Sequence, residues 1–249
     1  MLTYLLLFLS VSVFIGVFAH RVYALNIKKN TPPPEKKSLI DEEPLDIDEN
    51  KKLSKQEKSE ISILCEKADI KLKVGEEEEA IKLLVQAMAI DPANIEAQQK
   101  LAMLYMQKQM YAAAAALFKQ LGELTNDAVH YSNLGLALYQ QQEFEAAKEA
   151  YQRAVVLDSS RPQRFISLAQ VYRSLNQLSN AIVAANKANE MDSQNIDFLF
   201  LIADLQMDAE NHEESMNALK KILEIEPENA EAKNYLRKVK KAIAAKEKA

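Results

Sequence analysis

The chain has 249 residues, of which 48% are hydrophobic and 27% are charged, so it is long enough for one or two domains and apolar enough for most of it to fold. Only 4 residues are Gly, and Ala, Leu, Glu, Lys and Gln dominate, which favours an all-α fold. The net charge of -5 is too small to indicate a nucleic-acid partner, and a single cysteine excludes an internal disulfide and any zinc site that needs several thiolates.

The first predicted element is an apolar segment. Met1–Ala19 carries no charged side chain, and as a helix it would span about 28 Å, close to the thickness of a bilayer core. We interpret residues 1–25 as an uncleaved transmembrane signal-anchor helix, because a secretory signal peptide would begin with a basic region and residues 1–4 contain no basic side chain. Cleavage of a signal peptide is the alternative, and it would make the protein secreted or periplasmic.

The charges that flank this segment predict its orientation. No basic residue precedes it, and the basic residues that follow it are Arg21, Lys28, Lys29, Lys36 and Lys37. Because an excess of Lys and Arg marks the cytoplasmic side, we expect a single-pass membrane protein whose remaining chain lies in the cytoplasm. A periplasmic or extracellular location is the alternative.

Residues 26–53 predict a disordered linker rich in proline and acidic residues. Pro32–Pro34 and Pro44 oppose helix formation, and the apolar content is too low to bury. We interpret the segment as a solvated spacer, with a docking motif for a partner as the alternative. The sequence Ser54-Lys55-Gln56-Glu57 then has the form of a capping box, which predicts the start of a helix.

From here on, small residues recur about every 34 residues, a period typical of stacked repeats. One register is occupied by Ala80, Ala114, Ala147, Ala181 and Ser215. The clearest unit is 133–158, in which two apolar stripes at helical spacing flank the turn sequence Gln141-Gln142-Glu143. Two amphipathic helices joined by a short turn predict an antiparallel pair. The residues expected to let neighbouring helices pack closely are Ala80, Ala102, Ala114, Gly135, Ala147, Ala154, Ala169, Ala181 and Ala203.

This pattern resembles the tetratricopeptide repeat family. The Leu-Gly position of the family motif reads Lys67-Ala68, Leu101-Ala102, Leu134-Gly135, Leu168-Ala169 and Ile202-Ala203. The resemblance implies an α-solenoid of about five helix pairs over residues 54–229, with units near 61–94, 95–127, 128–161, 162–195 and 196–229. The recurring candidates for helix N-caps are Asn94, Asn195 and Asn229.

Three departures from the family pattern concern local stacking. Lys67 replaces an apolar residue in the first unit, and the second unit is one residue short and lacks its terminal proline. Leu121 and Ile222 occupy positions where the family has Ala.

Residues 230–249 are predicted to form a basic capping helix with a polar outer side, and contact of this helix with anionic lipid is the alternative.

The resemblance also implies where ligands bind. In this family, the first helices of successive units line a concave groove, and ligand contacts come from repeating positions on them. The first unit supplies Cys65 and Asp69, which replace residues of the clamp that binds chaperone tails, so no such ligand is expected. The other implied groove residues are Gln99, Met103, Met106, Ser132, Leu136, Tyr139, Ile166, Gln170, Arg173, Phe200, Asp204 and Met207.

The chemistry of these side chains suits an extended or helical peptide with apolar anchors, because methionine adapts to irregular surfaces. The alternative for Met103, Met106 and Met207 is that they pack partly in the core. Arg173 is expected to pair with a ligand carboxylate, with Asp204 or with another nearby acid.

The expected function is that of a membrane-anchored scaffold or adaptor for protein or peptide partners, in envelope assembly or complex formation. The layout is similar to that of the lipopolysaccharide assembly protein B family, although the four-cysteine metal module of that family has no counterpart here. The sequence contains no phosphate-binding loop and no hydrolase or metalloprotease motif. We therefore predict no enzyme activity, no cofactor, no metal, no nucleic acid and no small-molecule substrate.

Overall fold

The computed structural model describes residues 53–246, and within this range all regular secondary structure is α-helical. The helices are α1 (Lys55–Lys73), α2 (Glu77–Ile90), α3 (Ile95–Gln107), α4 (Tyr111–Thr125), α5 (Ala128–Gln140), α6 (Phe144–Leu157), α7 (Pro162–Ser174), α8 (Leu178–Met191), α9 (Ile196–Asp208), α10 (His212–Ile225) and α11 (Ala230–Lys246). The predicted anchor, residues 1–25, and nearly all of the predicted linker lie outside the described residues. Across α1–α11, every helix falls short of the length or the hydropathy needed to cross a membrane.

The helices form five consecutive pairs followed by α11. Each helix packs against the next one along the chain, both within a pair and between pairs. The first helices of the pairs are α1, α3, α5, α7 and α9, and the second helices are α2, α4, α6, α8 and α10. Because each unit contacts mainly its neighbours in sequence, the described chain is an α-solenoid, as the repeat pattern predicts.

The helix starts follow from their capping residues. The Ser54 amide donates to Glu57 Oε2 at 2.8 Å and the Glu57 amide donates to Ser54 Oγ at 3.2 Å, which confirms the predicted capping box. The predicted N-caps are also confirmed, since the side-chain oxygens of Asn94, Asn195 and Asn229 each accept a bond from an amide three residues ahead. These bonds satisfy amides that have no partner inside the helix.

The turn within each unit depends on one residue in the left-handed region. These residues are Gly75, Gln109, Gln142, Asn176 and Glu210, with φ values from 58° to 79°. The residue that follows each of them donates its amide to the carbonyl five positions back, as Glu143 does to Leu138 at 3.0 Å. This backbone bond ends the first helix and reverses the chain. The sequence offers a glycine at only the first of these five positions.

The core contains the small residues that the repeat pattern predicts. All eight predicted packing alanines have no exposed surface, and Gly135 is also buried. Gly135 lies under the ring of Tyr151, so close that a β-carbon on residue 135 would be 2.8 Å from the ring. In this unit, therefore, the glycine makes room for a large aromatic side chain rather than for the backbone of the paired helix.

The buried side chains form two clusters that meet in the fourth unit. Leu168 and Val171 of α7 belong to the first cluster, whereas Ala169 of the same helix belongs to the second. The buried face of α8 consists only of alanines, Ala181, Ala184, Ala185 and Ala188. The fourth unit is thus the part of the solenoid that buries the least side-chain volume in its second helix.

Because the second unit is one residue short, the link from α4 to α5 differs from the other links between units. Helix α4 extends to Thr125, Asn126 adopts a left-handed conformation with φ of 51°, and Asp127 caps α5 through a 2.7 Å bond to the Val129 amide. Only two residues separate α4 from α5, and these helices pack together as extensively as the two helices of one unit. Leu121, at a position where the family has Ala, is fully buried in this junction.

Helix α11 follows the fifth unit and packs against α10. Its residues Ala232 and Val239 are fully buried in the second cluster, while Lys238, Lys240 and Lys241 are exposed. The helix thus presents an apolar side to the array and a basic side to its surroundings.

Candidate functional site

The twelve groove residues that the sequence predicts on units two to five lie on α3, α5, α7 and α9, and none of them is buried. We call this surface the first-helix face. Its exposed members are Gln99, Met103, Leu136, Gln170 and Arg173. The half-buried members are Met106, Ser132, Tyr139, Ile166, Phe200, Asp204 and Met207. Helices α5 and α7 also approach each other directly, so the face continues from one unit to the next.

Apolar side chains on this face reach solvent. Met103 is 45% exposed and Leu136 is 40% exposed, and the two occupy the same repeat position on adjacent first helices. Met106 and Met207 instead pack against the two core clusters. Met106 and Met207 therefore pack partly in the core, which was the alternative to a role in the groove. Met103 has the most exposed side chain of the three.

Side-chain hydrogen bonds connect the first helices across unit boundaries. Lys100 of α3 donates to Asp69 of α1 at 2.6 Å, and Ser174 of α7 donates to the Tyr139 hydroxyl of α5 at 3.2 Å. Arg173 of α7 donates to Asp208, at the end of α9, at 2.6 Å. Because these bonds fix the side chains before any ligand arrives, less conformational entropy remains to be lost on binding.

Tyr139 is held from two sides. Its ring lies 5.3 Å from the ring of Phe144, measured between centroids, at an interplanar angle of 59°. Its hydroxyl lies 3.2 Å from the Ser174 hydroxyl, which also donates to the Gln170 carbonyl at 3.1 Å, so Ser174 holds the polar end of the ring in place. This arrangement gives the centre of the first-helix face an aromatic anchor with a polar end, a combination that is common in binding surfaces.

The charged members of the face are paired internally. The sequence left three partners open for Arg173: a ligand carboxylate, Asp204 or another nearby acid. Arg173 forms its ion pair with such an acid, Asp208, rather than with Asp204. Asp204 lies beside Tyr235 of α11, and burial together with this carboxylate raises the pKa of Tyr235 well above its usual range. A ligand carboxylate would therefore have to compete with Asp208 for the Arg173 guanidinium.

The placement of Cys65 in the groove is wrong. Cys65 is 1% exposed, although it shares its repeat position with exposed Gln99. The thiol is short, and the Lys100 ammonium lies nearby, where it bridges Asp69 at 2.6 Å and Glu96 at 2.9 Å. Burial and the Glu96 carboxylate raise the pKa of the Cys65 thiol, which disfavours the reactive thiolate.

A buried charge at the boundary between the third and fourth units was not predicted. Arg164 of α7 is buried and donates to Asp158 at 2.6 Å, to the Asp158 carbonyl at 3.1 Å and to Ser132 at 3.3 Å. Hydrogen bonds from Ser160 and from Arg164 lower the pKa of Asp158 to about 2. The acidic residue at the unit end is visible in the sequence, but nothing in the sequence pairs it with the arginine six residues later.

Outside this face the described residues offer little that resembles a chemical site. Within 53–246, no three His, Cys, Asp or Glu side chains converge in a way that could hold a metal ion. An open cavity of about 400 Å³ lies near the start of α10, between its acidic first turn and the end of α11. Its lining residues are Glu210, Asn211, His212, Glu213, Glu214, Ile243 and Lys246.

Solved structures of other proteins are similar to this chain. The MamA protein is 27% identical, with a TM-score of 0.65 over 70% of this chain and 96% of its own. YrrB, described as a repeat protein with an unusual peptide-binding site, is 20% identical, with a TM-score of 0.63 over 73% and 94%. Pseudomonas aeruginosa PilF is 19% identical, with a TM-score of 0.57 over 78% and 88%. The last two similarities, at 20% identity or less, concern the fold alone.

No curated protein matches the sequence. One profile of the tetratricopeptide repeat matches residues 71–135 and 172–239, and a second matches residues 128–160. The first profile alone spans more than half of the chain. With helix pairs at the same positions, the chain belongs to the tetratricopeptide repeat family.

Proposed function

We propose that this protein is an interaction scaffold whose first-helix face binds a peptide segment of another protein. The observation that carries the proposal is the continuous row of exposed and half-exposed side chains on α3, α5, α7 and α9, held in place by bonds between units. A structural neighbour described as having a peptide-binding site supports the same use of the fold.

The side chains of the face indicate the chemistry of the segment. Met103, Leu136, Ile166 and Phe200 offer apolar contact, and Gln99 and Gln170 offer amide hydrogen bonds. Adjacent first helices in such packing are about 10 Å apart, which is roughly three residues of extended peptide. A segment with apolar side chains at about every third residue therefore fits this face, and polar side chains between them would face the amides.

The proposal includes membrane attachment. We propose that residues 1–25 anchor the protein and that the array works in the cytoplasm, in the assembly of an envelope or membrane complex. The uncharged stretch Met1–Ala19 and the basic residues after it support this arrangement. A reporter fused after Ala249 that is active only outside the cytoplasm would contradict the orientation. A mass for the mature protein that lacks the first 19–25 residues would contradict the anchor.

The binding face is tested by crosslinking in the full chain. A photoreactive amino acid at Met103 should capture a partner, and the double variant Tyr139→Ala, Arg173→Glu should reduce capture at least tenfold while the helical circular dichroism stays unchanged. The matched control is Val183→Ala on α8, because Val183 is highly exposed but lies on a second helix. Unchanged capture by the double variant would argue against the face and for contact elsewhere.

A further inference from the structure

Helix α1 has one side that no other described element covers. In units two to five, the residue before the small position of the first helix is buried: these residues are Leu101, Leu134, Leu168 and Ile202. The equivalent residue in α1 is Lys67, which is exposed. No described unit precedes α1, so the surface that a preceding second helix would cover faces solvent.

The C-terminal half of this uncovered side carries three apolar side chains. Ile63 is 47% exposed, Ile70 is 53% exposed and Val74 is 63% exposed. Spacings of seven and four residues place the three side chains in one row, with Lys67 between them and with Val74 at the C-cap that directly follows the helix. We call Ile63, Lys67, Ile70 and Val74 the α1 stripe. A row of three half-exposed β-branched side chains at the end of the array is a candidate interaction surface.

Two opposite charges lie on the same flank of the stripe. Glu66 and Lys73 are seven residues apart, and both are exposed. Neither forms an ion pair with another residue of the described range. In a two-fold antiparallel helix pair, the same flank of both helices meets, so a residue near one end of the stripe faces a residue near the other end of the partner stripe.

From this pattern we propose that the α1 stripe binds a second copy of this chain, with the two α1 helices antiparallel. In this register, Ile63 of each copy lies against Val74 of the other, and the central Lys67 lies beside Ile70, where its aliphatic stem covers the isoleucine. Glu66 of each copy then faces Lys73 of the other copy, which forms two symmetric ion pairs at the edge of the interface. The stripe is thus complementary to itself in both shape and charge.

The size of the patch sets the expected strength. One helix face per copy is smaller than a standard protein–protein interface, so the dimer should be weak and should depend on concentration. Charge pairs at an exposed edge contribute more to the choice of partner and orientation than to affinity. Reversal of these charges is therefore the most direct test of how the two helices pair.

The test uses the full chain in a mild nonionic detergent, measured by sedimentation equilibrium over a range of concentrations. The unmodified chain should dimerise, and Ile70→Glu should weaken the dimer at least tenfold. The matched control is Val156→Glu on α6, because Val156 is 76% exposed outside the stripe, and this variant should dimerise like the unmodified chain.

Charge reversal tests the antiparallel register. Glu66→Lys alone and Lys73→Glu alone should each lose dimer, because each places like charges opposite one another. An equimolar mixture of the two variants should form a heterodimer. The double variant Glu66→Lys, Lys73→Glu should form a homodimer, because opposite charges again face each other.

Three outcomes would overturn the proposal. A chain that stays monomeric at all concentrations would indicate that the stripe is covered by another segment of the same chain or by a different protein. A dimer that Ile70→Glu leaves intact would place the contact elsewhere, for example in residues 1–25. A mixture of the reversed variants that stays monomeric would exclude the antiparallel register. Because Tyr139→Ala leaves α1 unchanged, it should dimerise normally, so failure of the proposed groove and failure of this interface give different results.

Discussion

Replacing Gly135 with alanine tests the closest contact in the core. A β-carbon at this position would lie 2.8–2.9 Å from three ring atoms of Tyr151. Favourable carbon–carbon contacts lie at about 3.5–4.0 Å, so either the ring or helix α5 has to move. Tyr151 is buried and hydrogen-bonded to Ser167, which limits how far the ring can shift.

Two effects of opposite sign determine the size of the change. Alanine in a helix interior is favoured over glycine by about 1 kcal/mol. Overpacking of a filled core costs about 1–3 kcal/mol, and a buried ring that cannot leave places this site near the upper end. We therefore expect Gly135→Ala to lower the free energy of unfolding by about 1–2 kcal/mol, although propensity alone would raise it.

The other units of the chain supply the control. The pairs equivalent to Gly135 and Tyr151 include Ala68 with Leu84 and Ala203 with Leu219, and all four of these residues are buried. Alanine should therefore be accepted when Tyr151 becomes leucine. Relative to the two single variants, the double variant Gly135→Ala, Tyr151→Leu should regain about 2–3 kcal/mol of coupling energy.

The measurement is urea unfolding of the full chain in detergent, followed by circular dichroism at the helical minimum. Gly122→Ala is the matched single substitution, because the added carbon would be 3.0 Å from the ring of Tyr131, which is half-buried and able to move. Its effect should be smaller than that of Gly135→Ala. If Gly135→Ala proves as stable as the unmodified chain, or if the double variant shows no coupling, the reasoning about this contact is wrong.

Three further predictions concern other parts of the array. Gln142→Gly should raise the free energy of unfolding by about 1 kcal/mol, because Gln142 has a φ of 62° that glycine adopts without strain; an unchanged urea midpoint would contradict this. Asp158 has a folded pKa of about 2 against an ordinary value of 3.8, so its contribution is present above about pH 4 and is lost as the pH falls towards 2; Asp158→Asn should remove this part of the acid-unfolding profile, and an identical profile would argue against it. Hydrogen exchange measured by mass spectrometry should open α8 before α6, because the buried face of α8 contains only alanines whereas α6 buries Tyr151; equal protection would contradict the prediction.

The sequence predicted those features that repeat in every unit. Small residues about every 34 positions predicted the helix pairs, and the asparagines before α3, α9 and α11 predicted their starts, because a cap acts through a bond three residues away. Such features depend on local spacing, which one sequence displays directly. The positions of the groove residues on first helices follow from the same register.

Features that depend on what a neighbouring unit supplies could not be predicted. Cys65 and Gln99 share a repeat position, yet Cys65 is buried because its side chain is short and charged groups of α3 lie close to it. Arg164 resembles a solvated arginine until the fold brings Asp158 and Ser132 to it. In three of the five turns the left-handed residue was equally hidden, since Gln109, Gln142 and Glu210 are not residues that predict a positive φ.

The two-residue link between α4 and α5 has a consequence for how this array can be rearranged. Most junctions between units have a loop of four residues and a looser contact, so exchange or insertion of a unit there would disturb its neighbours less. At Asn126 and Asp127, in contrast, the second helix of one unit and the first helix of the next are joined like the two halves of a single unit. Units two and three therefore form one indivisible module. The natural cutting points for shortening, extending or recombining the solenoid lie on either side of it.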